Sequence, residues 1–174
     1  MSSSTHKSSS KSYNPELWTA AVLTVSDSSA RGEREDRSGP AIAELLEKEN
    51  FSVVAVEVVA DDQAAIQEHI IQLAGKARLV VTTGGTGIAE RDVTPEATRA
   101  VCDRLLDGVA EHMRAEGMKK TSLAALSRGV CGVRRRSVVL NVPGSPKGAV
   151  ESLAAAIPVL PHAIGLLSGD TKHD

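Results

Sequence analysis

An α/β domain of three layers, a mostly parallel sheet with helices on both faces, is the fold that this 174-residue sequence predicts. Three observations lead there. Short β-branched or aliphatic runs alternate along the chain with segments of helical period. The runs are apolar almost throughout rather than at every second residue, as in parallel strands buried on both faces. Phe, Trp and Tyr occur once each, so the core must be built from Ala, Val, Leu and Ile, which suits a sheet covered by helices.

The strand runs lie at 21–25, 53–59, 79–83 and 137–141. After the first, Ile42, Leu45 and Leu46 fall on one helical face. After the second, Ile66, Ile70, Leu73 and Ala77 do the same, and after the third Leu105, Val109 and Met113 recur at steps of one turn. The last helix carries Val150, Leu153, Ala154 and Ile157. Start signals agree, because Ser38-Gly39-Pro40, Thr94-Pro95 and Ser145-Pro146 each set a capping residue beside a proline suited to a first helical turn. The order β-α-β-α-β-α-α-β-α implies right-handed crossovers in an open sheet. The segment 121–132 fits either a short helix or a small strand.

These elements make one domain over 18–168, preceded by a Ser- and Lys-rich tail at 1–17, expected to be disordered, and followed by a short tail at 169–174. Twenty Lys and Arg against 22 Asp and Glu give a formal net charge of -2, without the basic excess that grips nucleic-acid phosphates. The one basic run, Arg134-Arg135-Arg136, reads as a solvated strand entrance or an anion contact. Cys102 and Cys131 lack zinc-site spacing and are expected to be reduced structural thiols. The first residues have no apolar stretch, and the apolar stretch at 149–167 is interrupted by Glu151, Pro158, Pro161 and His162. It therefore reads as a buried, broken helix rather than a membrane span, and a cytoplasmic protein is expected.

In open α/β sheets ligands bind beyond the carboxyl ends of the strands. Four such ends carry Thr24-Val25-Ser26-Asp27-Ser28, Ala60-Asp61-Asp62, Thr82-Thr83-Gly84-Gly85-Thr86-Gly87 and Asn141-Val142-Pro143-Gly144-Ser145-Pro146. Gly84, Gly85 and Gly87 permit close backbone approach, and Thr82, Thr83 and Thr86 add hydroxyls, as a phosphate cradle requires; the alternative is a turn that merely needs glycine. The spacing is neither GxGxxG nor a P-loop. Asp92, ahead of a helix, either complements the helix dipole or holds Mg²⁺ beside bound phosphates. Asp61 and Asp62 serve as a helix cap or as acidic ligands, and Asp27 as a turn residue or a site residue. Lys147 opposes the dipole at a helix start, so it suits a bound anion there or simply faces solvent.

Taken together, these motifs resemble the molybdenum-cofactor biosynthesis family that includes the bacterial MogA and MoaB proteins and the plant Cnx and gephyrin G domains. The resemblance covers about residues 18–168. It rests on Thr83-Gly84-Gly85-Thr86-Gly87 followed by Arg91-Asp92-Val93-Thr94-Pro95-Glu96-Ala97, with Thr24-Val25-Ser26-Asp27-Ser28 and Val142-Pro143-Gly144-Ser145-Pro146 in support. It implies a homotrimer that binds molybdopterin at these loops, transfers AMP from ATP to its terminal phosphate, releases pyrophosphate and serves a downstream molybdenum-insertion protein. It matches Asp62 and Asp92 to the family's two acidic positions, expected to be catalytic and to bind Mg²⁺. Thr24, Ser26, Asp27, Thr83, Gly84, Gly85, Thr86, Gly87, Pro143, Gly144 and Ser145 match its binding loops, with Lys147 beside them. Two alternatives share these motifs: a non-catalytic MoaB-like molybdopterin carrier and a related-fold nucleotide pyrophosphatase.

Removing residues 1–14 is expected to leave the melting temperature and activity unchanged, since their composition buries too little apolar surface to offset ordering entropy. A clear fall in melting temperature on truncation would contradict this.

Overall fold

A computed structural model describes residues 18–169, so the expected N-terminal tail, and all of the C-terminal tail except Gly169, lie outside the described residues. Strand β1 (Thr19–Val25) lies inside the sheet, where Ala20, Ala21, Val22 and Leu23 are completely buried. One-turn helix α1 (Asp27–Ala30) and helix α2 (Ser38–Lys48) lead to edge strand β2 (Ser52–Val59). Helix α3 (Gln63–Ala74) crosses back to β3 (Leu79–Thr83), which pairs with β1 on its other side. There follow α4 (Thr94–Val101), β4 (Arg104–Leu105), α5 (Asp107–Met118) and a 3₁₀ turn at Ser122–Leu126. The chain ends with β5 (Cys131–Arg134), β6 (Ser137–Val142), α6 (Pro146–Ala156), a 3₁₀ turn at Ile157–Val159 and α7 (Leu160–Leu167).

The sheet order is β2-β1-β3-β6-β5-β4. The first four strands are parallel; β5 and β4 join antiparallel at one edge. The direction of winding reverses at β1, which opens a crevice above the carboxyl ends of β1 and β3. Alternate residues of the central strands feed two separate cores. Ala20, Val22, Leu79, Val81, Val138 and Leu140 pack with Ile42 and Leu46 of α2, Met113 of α5, Leu153 of α6 and Ile164 of α7. Ala21, Leu23, Val80 and Val139 pack on the other face with Ile66, Ile70 and Leu73 of α3 and with Ala97 and Val101 of α4. Two buried faces explain the continuously apolar runs of β1, β3 and β6, and the three-layer expectation holds; edge strand β2 departs from it, with Val54, Val56 and Val58 exposed along one face.

Several local expectations change. Segment 121–132 contains both a 3₁₀ turn and the start of β5, which forms a hairpin with β6 through Arg135 at φ 53. Arg134 donates to the Val101 carbonyl at 2.8 Å, a structural use for the basic run. Pro146–Leu167 is apolar and long enough to cross a membrane, at 22 residues and mean hydropathy 1.6. The 3₁₀ turn around Pro158 divides it, and Ala149, Leu153, Ala156, Leu160 and Ile164 all pack into the core beneath the sheet. It is a broken helix seated on the core by one face, with 22% of its most apolar stretch buried, less than the full burial expected. The two cysteines are free and belong to opposite faces, Cys131 within one core and Cys102 against the other. Burial pushes their thiols up, to about 12 for Cys131 and about 11 for Cys102.

Asn141 near the end of β6 is the polar exception in this apolar sheet. Only 1% exposed, it donates through Nδ2 to Thr82 Oγ1 at 2.8 Å and Thr98 Oγ1 at 2.9 Å, and accepts from the Val130 N–H at 3.1 Å. Thr98 Oγ1 donates to the Thr94 carbonyl, and Thr94 Oγ1 to the Gly84 carbonyl, each at 2.9 Å. A buried chain of hydrogen bonds thus runs from β6 to the glycine loop.

Asn141→Val removes the side-chain partner of the buried Val130 N–H and the amide that links Thr82 to Thr98. A loss of about 1–3 kcal/mol in urea-unfolding stability is expected from the unpaired groups. Stability equal to wild type would refute the structural role assigned to this network.

Candidate active site

A cleft of about 460 Å³ opens where the winding reverses, within the range of small-ligand sites. Four strand ends build it. β1 leads into Thr24, Ser26 and Asp27, β2 into Asp61, β3 into Thr83, Gly84 and Gly85, and β6 into Gly144, Ser145 and Pro146. The loop after β3 adds Arg91 and Asp92, and the α1–α2 loop adds Arg31, Arg34, Glu35, Asp36 and Arg37.

The ends of β1 and β2 are tied reciprocally. Asp27 N–H donates to Asp61 Oδ2 at 3.0 Å, and Asp61 N–H donates to Asp27 Oδ1 at 2.8 Å. Each carboxylate so satisfies the other's backbone while remaining on the cleft wall. Burial raises the Asp61 carboxyl above the ordinary carboxylate range, the Asp27 N–H pulls it down, and repulsion from Asp27 and Asp92 against attraction by Arg91 completes the balance. Ser26 Oγ accepts from Ser29 N at 3.3 Å and caps α1, while Thr24 Oγ1 donates to Asp36 Oδ2 at 2.7 Å. Asp36 Oδ1 in turn accepts from Gly39 N at 3.0 Å. Asp36, which the motifs did not single out, therefore caps α2 in place of Ser38.

Gly84 and Gly85 have φ of 97° and 64°, a region that side chains disfavour. Space is refused as well as conformation: a Cβ on Gly84 would strike the Val25 carbonyl oxygen, and one on Gly85 the Thr94 hydroxyl. Gly144 packs on Gly84, with its own Cβ position 3.2 Å from Gly84 Cα. Three loops are thus compressed into one floor. That floor is narrower than the expected cradle. The Gly84 N–H already donates to the Val142 carbonyl at 3.2 Å. Thr86 is buried, and Gly87 sits against Asp92, where a Cβ would lie 2.8 Å from Asp92 Oδ2. Neither Thr86 nor Gly87 lines the cleft. Pro143 also stands behind the wall, its carbonyl accepting from Thr83 Oγ1 at 2.7 Å.

Two charged residues expected at the site lie away from the cleft. Asp62 was matched to an acidic site position, but its exposed carboxylate accepts from Ala65 N at 2.8 Å and caps α3. The chain turns out of β2 between the two aspartates, so Asp61 faces the cleft and Asp62 the helix. Lys147 is exposed and does not line the cleft; Ser145 caps α6 by accepting from Gly148 N at 3.2 Å. The cations on the wall are instead Arg31, Arg34, Arg37 and Arg91. Their sequence signal was the charged stretch between Arg31 and Arg37, and the arginine directly ahead of Asp92.

Asp92 is held by its own turn, donating its N–H to the Ala89 carbonyl at 2.9 Å and accepting from Ala89 N through Oδ2 at 3.0 Å. Asp27, Asp61 and Asp92 all face the same cleft. Among the described residues no three His, Cys, Asp or Glu side chains form a ready-made metal cage. A divalent ion here would need ligand oxygens in addition, which is how Mg²⁺ is commonly held with substrate phosphates.

Residues 21–162 match the family described as "Probable molybdopterin binding domain". The molybdopterin adenylyltransferase of Helicobacter pylori J99 is 41% identical over 153 residues, 86% of this chain and 87% of that protein. The Escherichia coli K12 enzyme of the same name is 38% identical over 136 residues, 76% of this chain and 70% of that one. The crystal structure of the molybdopterin biosynthesis enzyme MoaB from Thermus thermophilus superposes with a TM-score of 0.82 at 51% identity, covering 87% of this chain and 97% of that one. With its glycine floor at the winding reversal and relatives that align over most of its length, the chain belongs to the MogA/MoaB family of molybdenum-cofactor biosynthesis proteins.

Proposed function

We propose that this protein is a molybdopterin adenylyltransferase acting in the cytoplasm, with ATP and molybdopterin as substrates and Mg²⁺ as cofactor. The observation that carries the reading is the cleft in which Asp27, Asp61 and Asp92 share a wall with the Gly84-Gly85 turn and four arginines. In support stand the relatives named for this activity. An anionic phosphate and its counter-charge both find partners there.

A terminal phosphate oxygen of molybdopterin attacks the α-phosphorus of ATP. A new P–O bond forms, the bond to the β-phosphate bridging oxygen breaks, and pyrophosphate leaves. The attacking oxygen is already anionic near neutral pH, so the chemistry asks for alignment and charge neutralisation rather than a strong base. Gly84 and Gly85 bring backbone to the cleft wall, where a phosphate can meet it. Arg37 and Arg91 supply positive charge on the wall, and Ser145 and Gly144 close the side next to α6.

Asp61 and Asp92 would hold the metal, with Asp27 next to them. The fit rests on three carboxylates that line one cleft, with the Asp61 carboxyl raised chiefly by burial and further by Asp27 and Asp92. When bound, Mg²⁺ neutralises polyphosphate charge as the transition state develops. On the family resemblance the protein works as a homotrimer and passes its product to a molybdenum-insertion protein.

Purified protein mixed with ATP, Mg²⁺ and molybdopterin is expected to give adenylylated molybdopterin and pyrophosphate. Binding without release would identify a carrier, and ATP cleavage without the pterin a pyrophosphatase. Asp61→Asn and Asp92→Asn should lower transfer by about 10²–10³-fold, as loss of electrostatic transition-state contacts does. Asp62→Asn should remain near wild type, because Asn and Asp rank together at N-caps, whereas Asp62→Ala should cost stability of about 1 kcal/mol and keep activity. Full rates in both Asp61→Asn and Asp92→Asn would sink the assignment; a large loss in Asp62→Asn would return that residue to the site.

A further inference from the structure

Arg128 does not line the cleft, yet its guanidinium is spread over the loop that does. It lies between the 3₁₀ turn Ser122–Leu126 and β5. Nε donates to the Gly87 carbonyl and Nη2 to the Asp92 carbonyl, both at 2.7 Å, while Nη1 bonds Glu96 Oε1. The backbone N–H of the same residue donates to the Thr86 carbonyl at 2.8 Å. One residue therefore fastens the glycine loop, the loop's far end and the first turn of α4.

The segment so fastened needs it. Ile88, Ala89, Glu90 and Arg91 are exposed, and the loop ends in Asp92, whose carboxylate rests against Gly87. Holding the Gly87 and Asp92 carbonyls at once fixes the distance across the turn, and with it the aim of the Asp92 carboxylate. Stability alone is a poor explanation for this arrangement. The side chains of Arg128 and Glu96 are 39% and 43% exposed, a setting in which ion pairs contribute little. The Glu96 carboxyl is nevertheless held below the ordinary range, chiefly by its hydrogen bond from Arg128, so the guanidinium is kept in place by a charged partner.

We propose that Arg128 is a positioning residue for adenylyl transfer, its planar fork setting Asp92 and Arg91 against the cleft without touching substrate. The proposal rests on the adenylyl-transfer reading. It depends on the shape of the fork rather than its charge, so lysine, a point cation on a flexible stem, does not substitute.

The test compares Arg128→Lys, Arg128→Gln and Glu96→Gln with wild type. In Arg128→Lys and Arg128→Gln, kcat is expected to fall about 10²-fold with the KM for ATP nearly unchanged, the mark of a misplaced group. Glu96→Gln, which keeps the acceptor and the fork, should lose far less. Amide hydrogen exchange across 86–96, read in ligand-free protein, should quicken in both Arg128 variants while the central strands stay protected. Wild-type kcat in Arg128→Lys would overturn the proposal. So would lost activity with unaltered exchange at Ala89, since Arg128 would then act on substrate directly. If Arg128→Gln does not fold, Arg128→Lys decides. Failure of wild-type protein to release pyrophosphate overturns the adenylyl-transfer reading instead, and the exchange rates still decide whether Arg128 holds the loop.

Discussion

The hydrogen-bond chain from Asn141 through Thr98 and Thr94 to the Gly84 carbonyl, with Thr82 held on a side branch, is the constraint on which the site depends. A sheet buried on both faces leaves its strand ends as the places where polar groups collect, and polar groups there must pair with one another or with ligand. Here the pairing is done by hydroxyls and one amide, which bind β3, β6 and α4 into a single block. The glycine turn is set on that block, with its carbonyls engaged by Thr94 and its Cβ positions closed off by Val25 and Thr94. Asn at position 141 interrupts an otherwise apolar strand, and the result is a fixed loop.

Charge in the cleft follows a related logic. The exchanged hydrogen bonds between Asp27 and Asp61 commit one oxygen of each carboxylate to the neighbouring backbone. Asp92 likewise commits Oδ2 to Ala89. Positions are thereby fixed, and among the described residues no lysine lines the cleft. Arginines come from a different stretch of chain, the α1–α2 loop, and from the residue beside Asp92. The site is assembled from rigid strand ends on one hand and a charged loop on the other, an arrangement suited to holding phosphates and their counter-charge without a general base.

Much of this was legible in the sequence because continuous apolar runs and helical periods report burial directly. The four parallel strands and the cleft-lining motifs of β1, β3 and β6 lie where those patterns place them, and so do the main helices, except that Leu105, read as helical, pairs in β4, and Ala77 and Ile157 fall beyond the ends of α3 and α6. The strand-end aspartates show the limit. Asp61 and Asp62 are equivalent as letters, and only the direction in which the chain leaves β2 decides which faces ligand and which caps a helix. Thr94 shows another: it carries the signature of an N-cap, yet its hydroxyl goes to Gly84 because tertiary demand outweighs local capping. Arg128 was invisible for the same reason, since its partners lie as far as 41 residues away in the chain. The antiparallel edge escaped because β4 has two residues and β5 four, too short for a period to register.

The placement of the two cysteines on opposite faces of the sheet bears on how the protein is handled. Both are free, Cys131 lies within one core and Cys102 against the other, and thiols pushed to about 11 and about 12 hold almost no thiolate at neutral pH. The native chain therefore offers a chemically quiet background for spectroscopy. A single cysteine introduced on the exposed loop beside the cleft would take a maleimide dye or spin label selectively, so loop motion can be followed without first removing either native thiol.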